Sequence, residues 1–74
     1  MKNSKIRNLS IRVYDAVASL RELQDDAQET FDNRTWEWQE SENGEMYSDR
    51  LSELEMAIDE IENGQNTLEQ LLEN

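Results

Sequence analysis

Any chemistry in this chain of 74 residues would have to come from its carboxylates, because the other usual side chains are missing. There is no histidine, which removes the commonest general base and the commonest transition-metal ligand. There is no cysteine, which removes disulfides and thiolate metal sites. Adjacent acids such as Asp25-Asp26 and Asp59-Glu60 are the candidates for acid–base or metal-ligating work. With eighteen acidic residues in the chain such pairs arise by chance. Neither an EF-hand loop nor a Glu-x-x-His spacing accompanies them. The expectation is a protein without enzyme activity, cofactor or metal.

Two constellations point to binding instead. Glu22, Asp25, Glu29 and Asp32 fall three or four apart, and so share one outward face of a helix. Further along, Asp49, Glu53 and Glu60 form one line, while Glu55, Glu62 and Glu69 form another at heptad spacing. Carboxylates about 5 to 6 Å apart along a rigid rod imitate a phosphate backbone in outline. A partner with a basic DNA- or RNA-binding groove would be attracted, with strong salt dependence. The plain alternative is a solvated face that only confers solubility.

The second constellation is Arg34, Trp36, Trp38, Tyr47 and Arg50. Trp36 and Trp38 are two apart, so on a helix they point in different directions and one of them is expected to be exposed. Exposed aromatics beside arginines anchor protein partners or stack on a nucleotide base. The competing expectation is that Trp38 and Tyr47 cap a core while Trp36 packs on a dimer mate.

These residues must be held by helices. The chain has no proline and two glycines, Gly44 and Gly64, and its Glu, Leu, Gln, Arg and Ala content favours helix. Apolar residues recur three or four apart at Ile6, Leu9, Val13, Ala16, Val17, Leu20, Leu23, Ala27 and Phe31. That pattern predicts a first helix over about residues 4–40, with Ser4 as its N-cap. Asp32-Asn33-Arg34-Thr35 is its weakest stretch, with a kink or a break there as the alternative. A second stripe, Tyr47, Leu51, Leu54, Ile58, Ile61, Gln65, Leu68 and Leu72, predicts a second helix over about 46–73. The alternation runs through Asn63-Gly64 unbroken, so Gly64 is read as a close-packing point inside that helix, with a break of the helix there as the alternative.

Between the stripes, Ser41-Glu42-Asn43-Gly44 is read as a turn over about 41–45, with Asn-Gly supplying a positive φ. A short connection makes antiparallel neighbours. The expected fold is therefore all-α, one long helical-hairpin domain over residues 1–74. Charge agrees with this pairing: residues 1–21 carry five basic residues against Asp15, and residues 22–74 carry seventeen acids against Arg34 and Arg50. Folding back brings Glu69 and Glu73 near Lys5, Arg7 and Arg12. The acidic part disfavours direct nucleic-acid binding.

Two helices alone enclose little core. A further apolar line, Ile11, Tyr14 and Ala18, lies on another side of the first helix, and an uncovered face calls for another chain. A homodimer making a four-helix bundle is expected there. No apolar run reaches the ~20 residues of a membrane span. The basic start, Met1-Lys2-Asn3-Ser4-Lys5, is not followed by the apolar stretch of a signal peptide. A cytoplasmic protein without membrane contact is the expectation.

Three segments then carry a resemblance: Glu29-Thr30-Phe31-Asp32-Asn33, Gln39-Glu40-Ser41-Glu42-Asn43-Gly44-Glu45, and Leu54-Glu55-Met56-Ala57-Ile58-Asp59. Together they resemble small acidic helical proteins encoded by phages and mobile elements of bacteria, mostly without assigned function. Those proteins share an Asp-Asn, a Gln-x-Ser-Glu-x-Gly-Glu turn and a following acidic helix. The resemblance covers about half the chain and does not extend to residues 1–20. Where a proline-containing stretch is expected after Asp-Asn, this chain has Arg34-Thr35-Trp36. The resemblance implies a mobile-element setting in a bacterial host cytoplasm, not a mechanism. Small acidic phage proteins often act stoichiometrically on host machinery or defence enzymes, and several anti-defence proteins imitate nucleic acid.

The leading expectation is accordingly a non-enzymatic, anti-defence type of inhibitor. Its acidic faces, carried by Glu22, Asp25, Glu29, Asp32, Asp49, Glu53 and Glu60, would meet a basic surface of a nucleic-acid-handling or defence protein, with Trp36 as anchor. Two alternatives belong to other classes. One is a protein that sequesters a nucleotide signal at Arg34 and Arg50; the other is a structural or assembly protein.

Overall fold

Two long helices lie antiparallel and are joined through a short third. The computed structural model describes residues 3–73, and of Glu73 only the backbone. Helix α1 runs Asn3–Asp32, α2 Trp36–Glu40 and α3 Glu42–Glu73, and there is no strand among the described residues. The molecule is a rod of 54 × 15 × 13 Å. The fold is the all-α helical hairpin that the two stripes predict.

The seam between α1 and α3 follows strict heptad spacing. On α3 the half-buried or buried seam positions are Gly44, Tyr47, Leu51, Leu54, Ile58, Gln65, Leu68 and Leu72, with Ile61 at the margin and half-buried Glu62 beside it. This is the stripe expected from the sequence, extended back to Gly44. On α1 the seam is Ile6, Ser10, Val13, Val17, Leu20, Gln24, Ala27 and Phe31. Here the expectation needs correction, because Leu9, Ala16 and Leu23 are exposed while Ser10 and Gln24 take their places. An unbroken alternation of four and three keeps one line facing a straight partner helix. That geometry outranks the polarity of Ser10 and Gln24.

Little of the chain is shielded. Val17, Leu51 and Ile58 are the buried hydrophobics among the described residues, and Ile58 alone is sealed completely. Ser10 and Gln65 are buried polar residues on the same seam. No buried side-chain nitrogen or oxygen among the described residues is left without a hydrogen bond.

The first helix does not continue to residue 40 as its periodicity predicts. It stops at Asp32, and the chain restarts at Thr35, an extended residue whose hydroxyl accepts from the Trp38 amide at 3.3 Å. Asn33 and Thr35 are weak helix formers, and Thr35 is a better N-cap than an interior residue. The freed end of α1 is closed by Gln39, whose side-chain amide donates to the Phe31 carbonyl at 2.9 Å and to that of Arg34 at 3.3 Å. At the other end, Ser4 lies within the first turn of α1 rather than capping it, since that helix already includes Asn3.

The expected turn over 41–45 is also corrected. α3 begins at Glu42, so Asn43 and Gly44 are helical and no residue of the described chain has a positive φ. Reversal is achieved by two extended residues, Thr35 and Ser41, on either side of α2. Ser41 ends one helix and starts the next. Its hydroxyl donates to the Trp38 carbonyl and accepts from the Gly44 amide at 3.2 Å. Gly44 is glycine for space and not for backbone freedom: a Cβ there would collide with the carbonyl oxygens of Trp38 and Gln39.

Gly64 is the opposite case. It sits in mid-helix as expected, but a Cβ there would meet nothing within 4 Å, so the expected close packing is absent within this chain. A glycine in a helix interior costs about 1 kcal/mol relative to alanine, and no contact in the hairpin offsets it.

Candidate functional site

The tip of the rod is built around three rings. Phe31 at the end of α1 stacks on Tyr47 of α3 with centroids 6.0 Å apart, and Trp38 of α2 meets both edge-on at 6.1 and 5.8 Å. On an unbroken helix Phe31 and Trp38 would be separated by about 10 Å of rise. The break at residues 33–35 is what folds Trp38 back. The Tyr47 hydroxyl donates to the Ala27 carbonyl at 3.1 Å, tying α3 to α1. The Arg34 guanidinium lies 4.2 Å over the Trp38 ring, a cation–π contact.

Trp36 stands outside this cluster and is 66% exposed. Met46 is exposed at the same end. A hollow of about 240 Å³ is lined by Trp38, Asn43, Met46, Tyr47 and Arg50, and Arg34 is not part of its wall. The two arginines proposed for a nucleotide phosphate thus do different things: Arg34 covers a ring, and Arg50 borders an open hollow below the usual size of a small-molecule pocket.

The acidic residues are arranged around the rod. Glu22, Asp25, Glu29 and Asp32 point outward from α1, and Asp49, Glu53 and Glu60 outward from α3; all seven are exposed. Because the two helices pack through their seams, these rows lie on opposite sides of the molecule and form no single face. Charge is uneven along the rod. Residues 22–59 hold thirteen carboxylates against Arg34 and Arg50, a net of −11. Residues 1–21 and 60–74, at the open end, cancel at +4 and −4. The tip half therefore carries the entire net charge.

One edge of the hairpin is polar. Arg21 donates from Nε to Glu62 at 2.8 Å and approaches Asp59 at 3.6 Å. The hydrogen bond to Glu62 raises the Arg21 pKa above its ordinary value, opposed by desolvation and aided by the charges of Glu62 and Asp59. These contacts mark the register of the two helices. Lys5, Arg7 and Arg12, expected to meet Glu69 and Glu73, form no ion pair among the described residues, and the Glu73 side chain lies outside them.

Ile11, Tyr14 and Ala18, expected at a dimer interface, are exposed on α1 on the side that also carries Arg21. Among the described residues no three His, Cys, Asp or Glu side chains converge as a metal site, and no helix is long and apolar enough to cross a membrane. Sequence reasoning missed Gln39 and Ser41 as the residues that build the tip. The signal available was Thr35 and Ser41, two N-cap residues six apart around a segment too short for a seam of its own.

Comparison with protein-family models, curated proteins and solved structures finds no match to this chain.

Proposed function

We propose that the protein is a non-enzymatic binding protein that offers the acidic half of its rod to a basic cleft of another protein, in the manner of a nucleic-acid mimic. The observation carrying this reading is that the whole net charge of −11 sits in residues 22–59 and wraps the rod. Spread over about half of the 54 Å length, this is roughly one net charge per 2.5 Å. Duplex DNA carries one per about 1.7 Å. Rows on opposite sides favour a cleft that embraces the rod over a flat basic patch. Trp36, exposed and free of the aromatic cluster, supplies an apolar anchor at the tip, of the kind that dominates protein interfaces.

The resemblance to proteins of phages and mobile elements supports a partner among bacterial nucleic-acid-handling or defence proteins, inhibited by occupation of its groove. The test is capture of partners from bacterial lysate at low and high salt, followed by variants. Glu29→Lys with Asp32→Lys alters the α1 row, and Glu53→Lys with Glu60→Lys alters the α3 row. Each pair is expected to weaken capture tenfold or more, and high salt to abolish it. Capture that survives both reversals and high salt would sink the electrostatic reading. Loss with one row alone would replace the cleft with a flat surface.

A further inference from the structure

We infer that one edge of the hairpin is the docking surface for a second copy of this chain, packed antiparallel so that the two acidic tips project from opposite ends. This stands independently of the binding function above. The edge opposite Arg21 is formed by Leu9, Ala16 and Leu23 of α1 and Ala57, Gly64 and Leu71 of α3, each set spaced by sevens. All six are exposed, with Leu9 at 48% and Leu23 at 57%. Both helices contribute, unlike the Ile11–Tyr14–Ala18 line, which belongs to α1 alone and shares its side with Arg21.

Three observations select a second copy as the occupant. The first is area. The chain exposes 5950 Å², whereas a compact monomer of 8.8 kDa exposes about 4,800 Å². The excess of about 1,100 Å² is what one partner of a specific dimer gives up, typically about 800 Å² or more. The second is Gly64, a mid-helix glycine whose Cβ position opens onto empty space at the centre of this edge. Nothing in its own chain explains it, but the backbone of another helix approaching closely does.

The third is charge and shape under a two-fold axis. The register marked by Arg21 with Glu62 and Asp59 brings Ala16 close to the level of Gly64. An axis passing across the rod there lays Leu9 against Leu23 of the second copy, and Leu71 over Ala57, large onto small. Such a self-complementary surface is what an isologous interface requires. It also brings Lys5 to the level of Asp26 of the second copy, since the two lie about equally far from Ala16 along α1. The parallel alternative would set two tips of −11 side by side and Asp26 beside Glu53. The antiparallel one keeps the two tips apart, at opposite ends of the pair.

The test is sedimentation equilibrium with far-ultraviolet circular dichroism, followed by cross-linking. The unmodified chain is expected to be a dimer at micromolar concentration. Gly64→Ala, which favours helix within one chain, should keep or raise helicity while weakening the dimer by an order of magnitude or more. Leu23→Glu should do likewise to the dimer, and Ile11→Glu should leave it intact. The chain lacks cysteine, so Ala16→Cys should form a disulfide-linked dimer on oxidation while Glu37→Cys at the tip does not. A folded monomer, a dimer tightened by Gly64→Ala, or cross-linking through Glu37→Cys in place of Ala16→Cys would each overturn the proposal.

Discussion

At Gly44 a single added methyl group would have to displace the backbone carbonyls of Trp38 and Gln39, and backbone cannot yield as a flexible side chain does. Gly44→Ala is therefore expected to destabilise the protein by about 1–3 kcal/mol, despite the better helix propensity of alanine. Thermal unfolding followed by circular dichroism reads the sign directly; an increase in midpoint would mean that the tip shifts without cost. Ser41 belongs to the same few ångströms. Its hydroxyl serves α2 as acceptor-side closure and α3 as N-cap, so Ser41→Ala removes two bonds at once. About 1–2 kcal/mol is the expected loss, and an unchanged denaturant midpoint would show that water replaces both.

Among the elements, α1 and α3 depend on each other for nearly all of their shielding, because each has one seam and no second layer. Ile58, fully buried at the middle of that seam, carries the largest share any single side chain can. Ile58→Ala is expected to cost about 2–5 kcal/mol, a large fraction of the total for a small domain. Met56, two residues away on the outward face and 62% exposed, is expected to tolerate alanine within about 0.5 kcal/mol. Equal effects in chemical denaturation would mean that α3 is rotated about its axis. Ser10 and Gln65 on the same seam give up hydrophobic area where a heptad would reward it.

On the scale of the whole molecule, repulsion decides more than attraction. Thirteen carboxylates crowd the tip half, and against them the described residues offer one exposed ion-pair group, Arg21 with Asp59 and Glu62. Screening weakens both, but the repulsive pairs far outnumber the attractive ones. The thermal midpoint is therefore expected to rise as sodium chloride is added from low ionic strength. A falling midpoint would assign the balance to the Arg21 group instead. The guanidinium itself does not change charge across this comparison, since Glu62 holds its pKa above an already high ordinary value.

The helical class, the antiparallel hairpin, the α3 stripe and the imbalance of charge were all legible in the sequence, because each depends on local propensity or on spacing along one chain. Tertiary structure alone decided which α1 residues face inward. Ser10 and Gln24 displace Leu9, Ala16 and Leu23 since a straight partner helix accepts only an unbroken heptad line. It also decided the tip, where the packing of Trp38 against Phe31 and Tyr47 and the side-chain amide of Gln39 convert a predicted long helix into two. Finally, the sequence reads Gly44 as a positive-φ turn residue and Gly64 as a close-packing point, and within this chain it is Gly44 that is closely packed. Their meaning differs because one faces the carbonyls of α2 and the other faces open space, and only the placement of neighbouring atoms separates those cases.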